Sequence, residues 1–415
     1  MALGNDNWNL ALIVIMIAKF DRSMDAGRSA CKTTTNHTGS LVRQEKRLCK
    51  MPKHRSVIVV VILLVGLHQR LHAADANAEW QGIVAAAKKE GKIVIGAPPG
   101  SDFRNEVQAV LKKRFDLDSE FIQAPGPNLM SKIVAEKQAG VATVDAFLIG
   151  PCTGNSLLKS DIFEPLTAAM VLPDVKDPAK WFGGHLWADN LSGRNLLYSF
   201  VAQITPSIYY NTQLVKPQEV RSYNDLLDAK WKGKIGLRDP RVPGGGLAMW
   251  AFLLDLKGEE YIKKLAEQDM LVGRNARQIA DALAKGRLAL TIGVGYRDFD
   301  AFLDANLPVK HLPTFKEGTY VSGGNGIVGV IKGAPHPNAA KLFFNWLLSR
   351  EGQELHGKTA QQPTRRLDVD TKGLDGQAAK DILTLEEFKR FQNFTEDRCN
   401  NSWIPGAKLA EAVLK

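Results

Sequence analysis

The sequence lacks the short motifs that identify common enzyme families. It has no G-x-S-x-G, no H-E-x-x-H and no glycine-rich loop followed by Lys-Ser or Lys-Thr, the patterns of serine hydrolases, zinc peptidases and P-loop proteins. Its 8 histidines are scattered, and after residue 73 none has metal-ligand spacing to another His or Cys. We therefore expect a protein that is not an enzyme and has no resident cofactor.

Most of the chain also lacks long apolar runs and an excess of one charge. The formal net charge is +10, but residues 1–73 hold 11 Lys and Arg against 4 Asp and Glu, which leaves 43 basic and 40 acidic residues in the rest. This near balance gives no reason to expect a nucleic-acid partner, because such proteins carry clustered basic charge. The apolar run Ser56–Leu67 is too short for a transmembrane helix, which needs about 20 residues.

That run has the composition of a secretory signal peptide that begins at Met51. Basic residues precede the apolar core, and alanines from Ala73 onward offer cleavage points, so we assign residues 51–76 to the signal and expect a periplasmic protein. A signal that is kept as a membrane anchor is the alternative. Residues 1–50 show no periodicity that would build a domain, and we interpret them as a mis-assigned start of translation or an unstructured extension.

Cysteine is scarce, with 4 in the chain and only Cys152 and Cys399 after the predicted signal. An oxidising periplasm permits one disulfide between them. Sequence alone cannot show that two residues so far apart come within bridging distance. We predict a Cys152–Cys399 disulfide, with two separate buried thiols as the alternative.

Strand and helix patterns alternate along the chain. Ala78–Glu90 has a helical apolar period, Lys92–Ala97 is a short β-branched strand, and Asp145–Ile149 is a nearly continuous apolar strand. A second alternating unit begins near Thr205 and continues to the strand Leu288–Val294. Such alternation predicts an α/β fold with sheets covered by helices on both faces.

Small polar loops recur between these strands and helices. In open α/β sheets such loops gather where ligands bind, and helix N-termini favour anions. Arginines lie in or near the loops against few acidic residues, chiefly Asp239 and Asp298, which favours a negatively charged solute. We interpret Gly244–Gly246 as a helix N-terminus with room for a close ligand. The candidate ligand-binding residues are Ser101, Asn128, Thr153, Asn155, Arg194, Gly245, Gly246, Arg274, Tyr296 and Arg297.

The order of several segments resembles the periplasmic solute-binding proteins of ABC importers, in the iron(III), thiamine and small-anion branch of the type II binding fold. The most similar segment is YNTQLVKPQEVRSYNDLLDAKWKGKIGLRDPRVPGGG at Tyr210–Gly246, followed by ALAKGRLALTIG at Ala282–Gly293 and by Pro308–Leu355. The resemblance implies two α/β lobes, each a mostly parallel sheet flanked by helices. Residues 77–200 and 320–415 would form lobe 1 and residues 201–319 lobe 2, with crossover strands near Leu196–Thr205 and Tyr320–Val330 as the hinge.

The resemblance also implies a monomer that captures a solute between its lobes and delivers it to a membrane permease with its ATPase subunits. Iron-binding members place two adjacent tyrosines after the strand that corresponds to Leu288–Val294. Here Tyr296 is followed by Arg297, while the pair Tyr209–Tyr210 lies on another strand and is expected to pack inside its lobe. We therefore expect a small anion as the solute. The alternative is iron(III), as the transported ligand, with Tyr296 as a metal ligand.

Overall fold

The computed structural model describes residues 75–204, 206–374 and 376–414. Residues 1–50, most of the predicted signal at 51–76 and its first cleavage points lie outside the described residues. No helix in the described part of the chain is long and apolar enough to cross a membrane.

The secondary structure alternates as the sequence predicts. The strands are β1 (Lys92–Ala97), β2 (Asp118–Gln123), β3 (Ala146–Ile149), β4 (Tyr198–Ser199), β5 (Gln203–Ile204), β6 (Ile208–Asn211), β7 (Ile235–Arg238), β8 (Leu271–Gly273), β9 (Leu290–Ile292), β10 (Val309–His311), β11 (Ile327–Val330) and β12 (Gln377–Ala378). The longer helices are α1 (75–90), α2 (Ser101–Phe115), α3 (Gly126–Gln138), α4 (Gly245–Lys257), α5 (Glu259–Ala266), α6 (Ala276–Ala284), α7 (Tyr296–Asp304), α8 (Pro337–Leu348), α9 (Arg350–Ala360), α10 (Leu385–Phe391) and α11 (Ile404–Val413).

The first lobe is built on a sheet with the strand order β2-β1-β3-β11-β4. Strand β1 pairs in parallel with β2 and β3, whereas β11 is antiparallel to β3 and β4. All four residues of β3 are buried, which explains its continuous apolar sequence, because helices cover both faces of the sheet. Ile95 of β1 and Phe343 of α8 belong to this core.

The second lobe is built on a sheet with the order β10-β6-β9-β7-β8. Strand β7 is parallel to β8 and β9, while β6 is antiparallel to β9 and β10. Helix α4 packs on it through Trp250 and Leu253, which are fully buried. Both sheets are thus more mixed than the mostly parallel sheets we expect from the sequence, because the strands that enter near the crossovers run antiparallel to their neighbours.

The two segments that we expect to connect the lobes lie side by side. Gln203 and Ser322 exchange backbone hydrogen bonds, with N–O distances of 2.9 and 2.8 Å. A Cβ atom on Gly326 would lie 2.2 Å from Cγ2 of Val201, and Gly324 has a φ of 54°. The glycines of the SGGNG sequence therefore allow the two crossing chains to approach closely.

The C-terminal end of the chain packs on the second lobe. We assign residues 320–415 to the first lobe from the sequence, and α8 and α9 do pack there. Trp403, Ala410 and Leu414, however, belong to the core that contains Trp250 of α4. The predicted boundary needs this correction because a local apolar pattern shows that α11 has a buried face but not which distant helix covers it.

Candidate functional site

A cavity of about 260 Å³ lies beside the two crossover segments. Its walls come from both lobes: Arg238 and Tyr296 belong to the second, Gln361 follows α9 of the first, and Gln203 and Ser322 belong to the crossovers. We call it the inter-lobe cavity. A rotation of one lobe against the other at the crossovers would change its shape.

Two helices begin at this cavity. The first residue of α4 is Gly245 and the first residue of α7 is Tyr296, and both residues line the cavity wall. The first turn of α7 is held by Asp298, whose carboxylate accepts a hydrogen bond from the Gly295 N–H at 3.1 Å. The N-terminal ends of helices carry unpaired N–H groups and a partial positive charge, so these two ends favour an anion.

Arg238 brings a positive charge to the inter-lobe cavity. It is the last residue of β7 and is half-buried, and its Nη2 would lie 3.2 Å from a Cβ atom on Gly244. The side chain of Arg238 makes no hydrogen bond or ion pair with any residue that the structure describes. Its charge is therefore available to a ligand.

The two neighbouring arginines share Asp239 as their carboxylate partner. This buried carboxylate accepts from Nε of Arg241 at 2.8 Å and from Nε of Arg274 at 3.3 Å. Burial alone would raise the pKa of Asp239, but the hydrogen bonds from the two arginines outweigh it and hold the pKa below its ordinary value. Arg241 and Arg274 are thus paired with a carboxylate, and Arg238 is not.

Arg297 is the second cationic side chain of the inter-lobe cavity. Its Nη2 donates to the carbonyl oxygen of Ala360, the last residue of α9, so the side chain reaches from the second lobe to the first. A carbonyl acceptor leaves the positive charge without a neutralising carboxylate. Among the described residues that line the cavity there is no Asp or Glu.

Gly246, unlike its neighbour Gly245, does not line the inter-lobe cavity. A Cβ atom on Gly246 would lie 2.0 Å from the carbonyl oxygen of Arg238, and one on Gly293 would lie 2.6 Å from Cα of Gly246. The glycine at 246 is therefore needed where the first turn of α4 crosses two strand ends. This corrects our interpretation that it makes room for a ligand.

Arg274, Arg194, Ser101 and Asn128 are exposed and do not line the inter-lobe cavity. Arg274 is held by Asp239, as described above. The Arg194 N–H donates to Oγ of Ser192, and the Ser101 hydroxyl donates to Asp102 at 3.0 Å, both within local turns of the first lobe.

Thr153 and Asn155 lie after β3 and do not line the inter-lobe cavity. The Thr153 hydroxyl faces the carbonyl oxygen of Pro151 at 3.5 Å, and Nδ2 of Asn155 donates to Oδ1 of Asn400 at 3.3 Å. Cys152 and Cys399 form a disulfide with a Cα–Cα distance of 5.5 Å. Of the ten candidate residues, only Gly245, Tyr296 and Arg297 meet in the inter-lobe cavity.

The tyrosines occupy two different environments. Tyr296 lines the inter-lobe cavity, as does Tyr320. Tyr209 and Tyr210 are buried, and the ring of Tyr209 stacks on Phe299 with a centroid distance of 4.1 Å. No group of three or more His, Cys, Asp or Glu in the described part of the chain could hold a metal ion.

Sequence reasoning missed Arg238, Gln361 and Gln362. Arg238 is the last residue of β7 and precedes Asp239, so its position at a strand end could have suggested it. The glutamines follow α9, and Oε1 of Gln362 accepts from the Asn325 N–H at 2.9 Å, beside the crossover. No local sequence pattern indicates that these two glutamines come close to the second lobe.

Comparisons with known proteins agree with this architecture. The sequence profile described as bacterial extracellular solute-binding protein matches residues 96–354. The chain is 24% identical over 344 residues to an uncharacterized protein of Haemophilus influenzae, which covers 79% of this chain and 94% of that protein.

Two solved structures show the same fold. A periplasmic binding protein of Actinobacillus pleuropneumoniae with fructose-6-phosphate bound has 24% identity and a TM-score of 0.54, covering 77% of this chain and 99% of its own. A Trichodesmium protein in complex with iron and citrate has 19% identity and a TM-score of 0.58, covering 78% and 99%. The family comprises solute-binding proteins rather than enzymes. This chain belongs to the bacterial extracellular solute-binding protein family and has the two-lobed type II fold of the periplasmic binding proteins of ABC importers.

Proposed function

We propose that this solute-binding protein captures a small anionic solute in the inter-lobe cavity and delivers it to the permease of an ABC importer. The observation that carries the proposal is the pair of arginines, Arg238 and Arg297, which face the cavity without a carboxylate partner. The N-termini of α4 and α7 add partial positive charge at the same place.

The electrostatic interaction of a solute with the two arginines depends on the sign of the solute's charge. A unit charge 4 Å from one guanidinium interacts with about 4 kcal/mol at an effective dielectric constant of about 20. Two guanidinium groups without a carboxylate partner therefore favour an anion and oppose a cation. A neutral sugar would gain none of this energy.

The solved neighbours carry ligands that are compatible with this chemistry. The Actinobacillus pleuropneumoniae protein holds a phosphate ester, and the Trichodesmium protein holds a carboxylate, citrate, together with iron. These are ligands of those proteins, and for this chain they define the classes of solute to be tested.

Iron(III) is the second candidate, because Tyr296 lines the inter-lobe cavity and a phenolate is a hard ligand. The two arginines oppose a bare trivalent ion, so iron would need an accompanying anion. In that case both tyrosine and arginine side chains would contribute to the site.

A ligand screen by thermal shift tests the proposal. The compounds are fructose-6-phosphate, inorganic phosphate, citrate, ferric citrate, neutral fructose and the cation spermidine. We expect stabilisation by at least one phosphorylated or carboxylated anion, by about 2.7 kcal/mol at a hundredfold excess over Kd. Stabilisation by ferric citrate alone, with a visible charge-transfer band that disappears in Tyr296→Phe, would establish the iron alternative. Stabilisation by fructose or spermidine but by no anion would overturn the proposal.

The family implies a location outside the cytoplasm, in the periplasm. We propose that the segment from Met51 directs the export and that the protein acts there as a monomer with its permease and ATPase partners. N-terminal sequencing of the exported protein tests the first point, because a mature chain that retains residues before Met51 would contradict it.

A further inference from the structure

The C-terminal segment of the chain contacts both lobes. On the first lobe, the Glu396 N–H donates to the carbonyl oxygen of Ala188 at 2.6 Å, and Nδ2 of Asn190 donates to Oδ1 of Asp397 at 3.0 Å. From there the chain continues into α11, which lies on the second lobe. We call residues 396–414 the strap.

The second lobe holds the strap by packing. Trp403, Ala410 and Leu414 belong to the same buried core as α4. A Cβ atom on Gly406 would lie 3.4 Å from Cα of Ala251, so the backbones of α11 and α4 are close together. The Ser402 hydroxyl also donates to Asp255 of α4 at 2.6 Å.

The first lobe holds the strap by a covalent bond. Cys152 lies three residues after the end of β3, and its disulfide partner Cys399 lies in the strap, 247 residues further along the chain. The strap is therefore fixed to the first lobe at Cys399 and, apart from a partly exposed 4.0 Å ion pair between Arg398 and Asp255, to the second lobe from Ser402 onward. Only Asn400 and Asn401 separate the two attachments.

Beside these attachments the two lobes face each other across a gap. A cavity of about 490 Å³ lies beside the disulfide. Its walls include Asn155 and Lys159 from the first lobe, Arg241 and Leu247 from the second, and Trp403 from the strap. The strap thus spans the gap between the lobes at this point.

The short free length limits how far the lobes can separate. Residues Cys399–Trp403 form a turn of π-helix. Three residues rise about 5 Å in a helix and reach about 11 Å when fully extended. Complete unwinding between Cys399 and Ser402 would therefore add only about 6 Å between the two attachments.

We propose that the Cys152–Cys399 disulfide makes the strap a tether that limits the opening of the lobes and thereby sets the rate at which solute enters and leaves. The kinetic part rests on the proposed capture of solute in the inter-lobe cavity. The limit on opening does not, because it is a property of the protein without ligand.

Small-angle X-ray scattering of the ligand-free protein tests the tether. We compare the oxidised protein, the double variant Cys152→Ser/Cys399→Ser, and a slack variant with Gly-Ser-Gly inserted between Asn400 and Asn401, in which the disulfide remains. We expect a larger radius of gyration in both variants, with unchanged circular dichroism. The same insert after Gly140, in an exposed turn of the first lobe, is the control and leaves the radius of gyration unchanged.

An unchanged radius of gyration in both variants would overturn the proposal. An increase in the double variant alone would also overturn it, because the disulfide would then maintain local structure rather than limit opening. Stopped-flow binding of fructose-6-phosphate measures the kinetic part, and we expect faster association and dissociation in the slack variant. If no anion binds, the proposed function fails, while the scattering result still decides the tether.

Discussion

Arg238 ends β7 and Arg274 follows the neighbouring strand β8, but the two arginines differ in their partners. Arg238 lines the inter-lobe cavity without a carboxylate partner, whereas Arg274 is exposed and paired with Asp239. A hydrogen bond to a charged group contributes about 1.5–3 kcal/mol. We therefore predict that Arg238→Gln weakens binding of the preferred anion by roughly 10- to 100-fold, as measured by isothermal titration calorimetry.

Arg274→Gln is the matched control for this prediction. It removes the same charge from the adjacent strand end, but outside the inter-lobe cavity, so binding should change by no more than about fivefold, because exposed ion pairs contribute at most about 1 kcal/mol. Equal losses in the two variants would show that the anion responds to the overall charge of the lobe. Arg238 would then have no special role.

The contrast between these arginines also shows where sequence reasoning ends. Composition correctly indicates that arginines outnumber acids in the strand–helix loops. It cannot tell which of Arg238, Arg241 and Arg274 is paired with Asp239, because that depends on the parallel pairing of β7 with β8 and on the turn at Arg241. The selection of Arg274 as a site residue and the omission of Arg238 follow from this ambiguity.

His356 makes the stability of the protein depend on pH. It is buried against the rings of Phe103 and Phe200, and its Nδ1 has no hydrogen-bond partner. Burial, with a smaller contribution from Arg297, lowers its pKa from 6.5 to about 3. Between these values the unfolded chain binds a proton that the native protein does not, so the free energy of unfolding falls as the pH decreases.

We predict that this histidine removes about 2 kcal/mol of stability between pH 7 and pH 5. Urea denaturation at a series of pH values measures it. In His356→Leu that part of the pH dependence should be absent, whatever the variant does to stability at pH 7. An identical pH dependence in the two proteins would mean that His356 is protonated in the native state.

At the scale of elements, the start of α4 is fixed by its close contact with two strands. A Cβ atom on Gly246 would meet the backbone carbonyl of Arg238, and backbone cannot move aside as a flexible side chain can. We predict that Gly246→Ala lowers the free energy of unfolding by about 1–3 kcal/mol. It should also weaken anion binding, because a displaced α4 carries Gly245 away from the inter-lobe cavity.

Gly82→Ala provides the control for this substitution. Gly82 is also helical, in α1, but no atom lies within 4 Å of its added Cβ. Alanine is the better helix former, so this variant should be as stable as the parent or more stable by about 0.5–1 kcal/mol. If Gly246→Ala behaves like Gly82→Ala, the close contact at α4 does not constrain the helix.

Most helices and strands could be predicted because their apolar periods are local properties of the sequence. Strand β1 begins and ends at the predicted residues, Lys92 and Ala97. The sheet order and the direction of β11 depend on pairs that are far apart in sequence, such as Val328 with Leu148. The packing of α11 on α4 could not be predicted for the same reason.

At the scale of the whole molecule, the disulfide joins two segments that lie far apart in the chain. Cys152 belongs to the loop after β3 of the first lobe, and Cys399 precedes α11, which packs into the second. Cross-linking residues 247 positions apart restricts the unfolded chain strongly. We predict that Cys152→Ser/Cys399→Ser lowers the free energy of unfolding by about 2–5 kcal/mol, measured by urea denaturation.

Chemical reduction of the disulfide is an independent way to obtain the protein without this cross-link. Dithiothreitol should lower the unfolding midpoint of the parent protein to that of the double variant and leave the variant itself unchanged.

The slack variant keeps the cross-link and should therefore retain most of the stability of the parent, even though its lobes open further. Stability and opening then respond to different changes, since the first depends on the covalent bond and the second on the length of chain between Cys399 and Ser402. A slack variant as unstable as the double variant would contradict this separation and would show that the strap stabilises the protein through the π-helical turn itself.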